Sequence, residues 1–276
     1  MTSIPLLALG VLVVLAVVLG VPVVTVPEGP SGQGAGWRIA GLVAGVVAAG
    51  AIAASAPLGQ GLLLSAPVFG VMVMVGVVLG EFRRQPVGPI RSAAVETRRL
   101  RDYVPRRSAF IVGIATVVLT GILIWTTALG SPDDLGRDGR VLSRVCGEVS
   151  RSKGPWPGSY YAVPLGLLVL LGLLVAAVGG WRLVARPRPL NRAARPIRDD
   201  ASRRRSAVAL TGACGVVVAV PLAGISAVAG PTLLSMPCAP TAWTVGGGLL
   251  VLLIPCSLVL LAWSLVAILR PTRTSA

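Results

Sequence analysis

The sequence contains no histidine. That removes the commonest general base, proton shuttle and transition-metal ligand from its repertoire. Acidic residues are few, six aspartates and four glutamates in 276 residues, and Lys153 is the one lysine beside 24 arginines. Aromatic residues make up 4% of the chain and phenylalanine occurs three times, so Val, Leu, Ala and Gly fill its apolar stretches. The most informative absence is positional. Residues 1–27, 39–80, 108–132, 154–181 and 206–269 carry no Asp, Glu, Lys or Arg at all. A charge at the centre of a bilayer costs about 2.5–3.5 kcal/mol even on the mildest scale, so a chain that crosses a membrane repeatedly must sort its charges in this way. There is no Walker lysine loop, no H-E-x-x-H, no carboxylate inside an apolar run and no series of arginines within one. Those gaps argue against primary pumps, site-2-type proteases, proton-coupled carriers and voltage sensors.

What is present is apolar and basic. Hydrophobic residues make up 54% of the chain, mean hydropathy is +0.84 and the net charge is +15. A bilayer core about 30 Å thick takes roughly 20 apolar residues per helix. The runs then predict an all-α, polytopic transmembrane helical bundle, one domain over residues 1–276 with about seven spans. These fall near 4–26, 39–56, 62–80, 108–129, 161–181, 207–229 and 243–269. The first run has no basic residue before it, is long, and has no small-x-small site ahead of Glu28, so it reads as an uncleaved span.

The arginines give an orientation. Segment 81–107 holds eight arginines against three acids, net +5, and segment 182–205 holds nine against two, net +7. The loop 130–160 has five basic and four acidic residues, net +1, and 230–242 has no charge. The positive-inside rule places 81–107, 182–205 and the C-terminus in the cytoplasm and the N-terminus outside. Arg98, Arg99, Arg101, Arg106, Arg107, Arg203, Arg204 and Arg205 are therefore expected to meet anionic headgroups or a protein partner. Nucleic-acid binding is not expected, because no reader motif accompanies the charge.

Lipid tails are as apolar as leucine, so helices associate in a membrane through close packing. Gly41, Gly45 and Ala49 recur every four residues, and Gly76 and Gly80 repeat the spacing in the next span. They predict a tight pair within the bundle, with a homodimer seam as the rival. Pro67, Pro164, Pro221 and Pro255 fall inside spans. The last two, with Cys214, Ser226 and Ser257, read either as ordinary kinks or as broken helices around a substrate. Trp125, Trp156, Tyr160, Tyr161 and Trp243 form an expected outer belt, and Trp37, Phe82, Phe110 and Trp181 an inner one.

Cys146 and Cys238 lie one in each outer loop, where thiols tend to pair, so a Cys146–Cys238 disulfide is expected. Cys214 and Cys256 lie within spans as apolar fillers. Asp133, Asp134 and Asp138 are close in sequence but lack the EF-hand pattern and are neutralised by Arg137 and Arg140. A helix N-cap ahead of Val141 and Leu142 accounts for them, and no metal or cofactor is expected. Segment 90–104, free of Pro and Gly, is expected to be a surface helix with Glu96–Arg99 and Arg98–Asp102 pairs. Segment 182–205, with Pro187, Pro189 and Pro196, is expected to be extended.

The segments GE at 80–81, ETRRLRDYVPR at 96–106, SPDDLG at 131–136, GPWPGS at 154–159 and RRRSA at 203–207 together resemble a family of uncharacterised polytopic integral membrane proteins of actinobacteria. The resemblance implies a bacterial cell membrane, in keeping with the Arg/Ala/Val/Gly bias of a GC-rich genome, and implies no activity. Function is then expected to be non-enzymatic: an accessory, sensing or scaffolding component working through partners and the lipid bilayer. The alternative is a facilitator or carrier for a small neutral or amphiphilic solute. A membrane enzyme would have to use Glu81, Asp102 or the Asp133–Asp138 loop.

Overall fold

The computed structural model describes residues 33–55, 59–83, 100–185 and 195–269. Helix makes up 81% of them. The helices are α1 (Gln33–Ser55), α2 (Gln60–Arg83), α3 (Arg106–Leu129), α4 (Ser159–Ala185), α5 (Arg195–Leu234) and α6 (Thr241–Leu269). Five of them contain stretches long and apolar enough to cross a membrane: Gln60–Gly80, Arg106–Leu129, Ser159–Ala185, Arg203–Leu234 and Thr241–Ile268. The apolar part of α1, Ile39–Ser55, is shorter. The expected span at 4–26 lies outside the described residues.

Small residues set how closely the helices approach. A Cβ on Gly76 would sit 2.6 Å from the Trp37 carbonyl oxygen and 2.7 Å from Gly41 Cα. A Cβ on Gly45 would meet the Phe69 ring at 2.9 Å. Thus α1 and α2 touch backbone to backbone at Gly41 and Gly76, and Gly80 is buried as well. A second seam, between α5 and α6, has the same chemistry. Gly212 faces the Ser264 carbonyl, Gly215 faces the Ser264 side chain, and Gly230 and Gly247 meet each other.

The apolar core runs through α2, α3, α4, α5 and α6, with Met74, Leu119, Leu165, Val217 and Leu233 wholly or almost wholly buried. The lipid-type surface is as apolar as the core: Phe110 is 70% exposed and Val117 73%. Pro67, Pro164, Pro221 and Pro255 lie inside continuous helices. The helices run through these prolines without a break, so the broken-helix reading does not describe the backbone. Thr116, Thr211, Thr232, Ser257 and Ser264 turn their hydroxyls back onto the carbonyl four residues earlier, at 2.6–2.9 Å. They satisfy themselves where no water is at hand.

Two expectations are corrected. Residues 195–205 are not extended, because α5 starts at Arg195 and continues for 40 residues, about 60 Å. Pro196 is the second residue of that helix, where its missing N–H would have no helical acceptor in any case. In addition, Val141 and Leu142 do not open a helix behind an acidic cap. Leu142–Cys146 (β1) and Val149–Lys153 (β2) form an antiparallel hairpin in which Cys146 pairs with Val149. The two-residue turn is Gly147-Glu148, and Gly147 takes φ +65° while Glu148 keeps negative φ. A glycine at the first of two turn positions is the II′ hairpin requirement.

Candidate functional site

The bundle has two chemically distinct ends, and the candidate residues sort between them. At one end the hairpin folds down over the helix termini. An isolated two-stranded hairpin is marginal in water, so side-chain anchors must hold this one. The register puts Leu142, Arg144, Cys146, Val149, Arg151 and Lys153 on one face. Several of these supply the anchors. Lys153 Nζ donates to the Ser235 carbonyl at 2.8 Å and to Ser235 Oγ at 2.6 Å, at the C-terminus of α5. The Arg144 guanidinium lies 5.1 Å from the Trp243 ring centroid at the start of α6. The Cys146 thiol donates to the Pro237 carbonyl at 3.2 Å. Leu142 is fully buried. The opposite face holds Ser143, Val145, Ser150 and Ser152, a neutral surface.

The chain before and after the hairpin is held as firmly. The Trp156 indole is fully buried, and its N–H donates 2.8 Å to the Thr126 carbonyl in the last turn of α3. That carbonyl has no partner within the helix, so the indole acts as a C-terminal cap. Trp156 is therefore a core residue and not part of an outer aromatic belt, and Tyr161 is buried too. Arg140 stacks on Tyr160 at 4.0 Å. Gly139, at φ +71°, lets the loop press onto the start of α4, where a Cβ would overlap Ser159.

Cys146 and Cys238 are brought together. Both are free thiols, and hydrogen bonding to Cys238 is the leading cause that raises the Cys146 pKa above its ordinary value, with burial second. The three aspartates do not converge. Asp133 accepts from the backbone N–H groups of Leu135 (3.0 Å) and Arg137 (2.9 Å) and pairs with the Arg137 guanidinium at 2.8 Å. These bonds, the side-chain one first, hold its carboxyl below the usual range. Asp134 and Asp138 are exposed. Among the described residues no group of three or more potential ligands is placed to hold a metal.

The other end carries the arginines. Arg101, Arg106, Arg107, Arg204 and Arg205 are exposed there, while Arg98, Arg99 and the Glu96–Arg99 and Arg98–Asp102 pairs lie outside the described residues. Arg203 departs from the expectation. It is fully buried, and its guanidinium donates to the Leu183 carbonyl near the end of α4. It ties α4 to α5 and does not face headgroups. Of the surface helix expected at 90–104, residues 90–99 lie outside the described residues, and the rest is a short 3-10 turn, Leu100–Asp102. Its Leu100 fits against Gly180, and Tyr103 Oη donates to Asp200 at 3.3 Å.

Two cavities accompany these ends. One, of about 390 Å³, is lined by Leu42, Val43, Val46, Val47, Phe69, Leu265 and Ile268 and is wholly apolar. The second, of about 240 Å³, lies between α3, α4 and α5 behind the 100–104 turn. No protein-family model, no curated protein and no solved structure matches the chain.

Proposed function

We propose that the chain is a non-enzymatic, multi-pass component of a bacterial cell membrane, with about seven spans, that acts as a scaffold or sensing accessory through partners. Its N-terminus and hairpin lie outside and its arginine end in the cytoplasm. The resemblance to actinobacterial membrane proteins and the positive-inside bias support that setting.

The observation that carries the reading is the use made of reactive groups at the hairpin end. Lys153, Arg144, Arg140, Arg137 and Asp133 all bind to neighbouring parts of the chain. They build a cap whose hairpin keeps its neutral face, Ser143, Val145, Ser150 and Ser152, away from the anchors. A catalytic pocket would instead leave a nucleophile or acid facing a cleft. A Cys146–Cys238 bond would complete the staple, with two electrons and two protons passing to the disulfide of a thiol oxidoreductase.

The test is purification from native membranes in mild detergent, with identification of what co-purifies. A stoichiometric protein that is lost on Arg204→Glu/Arg205→Glu substitution, while the fold persists, supports an accessory role. A clean homo-oligomer that moves a small solute across reconstituted vesicles would overturn it and favour the carrier alternative.

A further inference from the structure

The cavity between α3, α4 and α5 repeats one pattern on two helices. On α3 it is lined by Ala109, Gly113 and Thr116, which stand three, seven and ten residues after Arg106. On α5 it is lined by Ala207, Thr211 and Cys214, which stand three, seven and ten residues after Arg204. Those spacings keep each set on one helix face. Both helices run away from the arginine end, so each carries an exposed arginine below the same cavity, in line with its wall. Seven residues of helix span about 10 Å, which separates each guanidinium from the middle of the cavity. The side chains lean toward the helix N-terminus, outward to the aqueous boundary.

The interior of the cavity is apolar although two hydroxyls line it. Thr116 Oγ1 donates to the Val112 carbonyl at 2.8 Å and Thr211 Oγ1 to the Ala207 carbonyl at 2.9 Å. With both hydroxyls engaged, a polar solute entering here would lose its hydration with little in return. Alkyl chain loses nothing. The side toward α5's first turns is closed by Leu100 seated on Gly180 and by the Tyr103–Asp200 bond. Gly113 is exposed, and a Cβ there would meet nothing within 4 Å, so the cavity opens sideways at that point.

The geometry points to a binding site for one anionic phospholipid of the cytoplasmic leaflet. One acyl chain would enter past Gly113 to lie among Thr116, Leu173, Ala176 and Leu210. The phosphate would lie between Arg106 and Arg204, at headgroup level. Phosphatidylcholine carries the same phosphate, but its trimethylammonium group cancels the net charge and is repelled by two guanidinium groups, so the arginine pair gives an anionic lipid a preference of roughly tenfold or more. This site is independent of the scaffold reading and would serve a scaffold or a carrier equally.

The test is native mass spectrometry of the full-length protein in detergent, with phosphatidylglycerol or phosphatidylcholine of identical chains. The expected result is one retained phosphatidylglycerol with at least about tenfold preference. The Arg106→Gln/Arg204→Gln double variant should bring the two lipids level. Gly113→Leu and, separately, Ala176→Leu should remove the retained lipid, while Val117→Leu, on the exposed side of α3, should not. Melting in detergent checks that each variant is folded, and the two cavity variants back each other up. Equal retention of both lipids by the unmodified protein would overturn the proposal. So would retention unchanged in folded cavity variants, or full displacement by glycerol phosphate, which has no acyl chain.

Discussion

Among single residues, Trp156 and Ser226 make opposite predictions from the same rule, that a buried polar atom must find a partner. The Trp156 indole satisfies a carbonyl at the end of α3, and its ring fills the space beneath the hairpin. Trp156→Phe keeps most of the ring and orphans the Thr126 carbonyl, a loss of about 1–3 kcal/mol. Trp156→Ala adds a cavity, for about 3–5 kcal/mol. Thermal unfolding in detergent should therefore rank the native protein above the Phe variant and the Phe variant above the Ala variant. Ser226 is fully buried in α5, and its hydroxyl has no partner among the described residues. Ser226→Ala removes an unsatisfied group of nearly the same size, so the same melt should be unchanged or higher, and a clear drop would show a partner for the hydroxyl. Neither role is visible in sequence. Trp156 sits in a charged loop beside Tyr160 and Tyr161, a setting that suggests headgroups. Only the fold reveals the α3 carbonyl it reaches.

The helices were far more legible than the hairpin, for a physical reason. A helix in lipid must pair every backbone group internally and exclude charge, so charge-free runs mark its extent. The hairpin has no such constraint. Its inward face carries Arg144, Cys146 and Lys153 in place of apolar residues, so the usual alternation of hydrophobic and polar positions is missing. The usable signal was Gly147-Glu148 between two short β-prone runs. Gly41, Gly45 and Gly76 of α1 and α2, by contrast, stand out in the sequence by their spacing, because close approach needs glycine whatever else surrounds it. Gly76→Leu should separate that pair, since even a Cβ would overlap the Trp37 carbonyl and Gly41. A loss of about 1–3 kcal/mol, seen as a lower melting temperature with α5 and α6 still protected from proteolysis, is the expected result. The turn before the hairpin has a pH limit of its own. The Asp133 pKa is lowered, so its contribution is present in full above the ordinary value of 3.8 and is lost as pH falls through the lower folded value. Carboxyl ¹³C shifts of Asp133 should therefore titrate below pH 3.8, and Arg137→Gln should move the midpoint up toward it.

At the scale of the whole molecule, the proposed topology and the cysteine pair depend on one another, and one labelling experiment separates them. Cys238 is exposed and Cys146 partly so at the hairpin end, whereas Arg205 is exposed at the other, so under the proposed topology the two ends would report on opposite sides of the membrane. The sites can be read in a variant carrying Cys214→Ala, Cys256→Ala and Arg205→Cys. With an impermeant reductant present, a membrane-impermeant maleimide applied to intact cells should reach Cys238 and leave position 205 unlabelled until the cells are permeabilised. Labelling of position 205 from outside, with Cys238 protected, would invert the topology and put the arginines on the wrong side for the positive-inside rule. Reductant then reads the pair. If the bond forms in the cell, labelling at 146 and 238 appears only after reduction, and Cys146→Ser exposes Cys238 without it. If both thiols label at once in the native chain, the cap is held by Lys153, Arg144 and Trp156 alone. The raised Cys146 pKa favours the slow-reacting thiol form near neutral pH, so unaided oxidation should be slow. Loss of the bond in cells lacking thiol oxidoreductases, with the topology unchanged, would show that the staple is installed by an enzyme after the bundle has brought the two loops together.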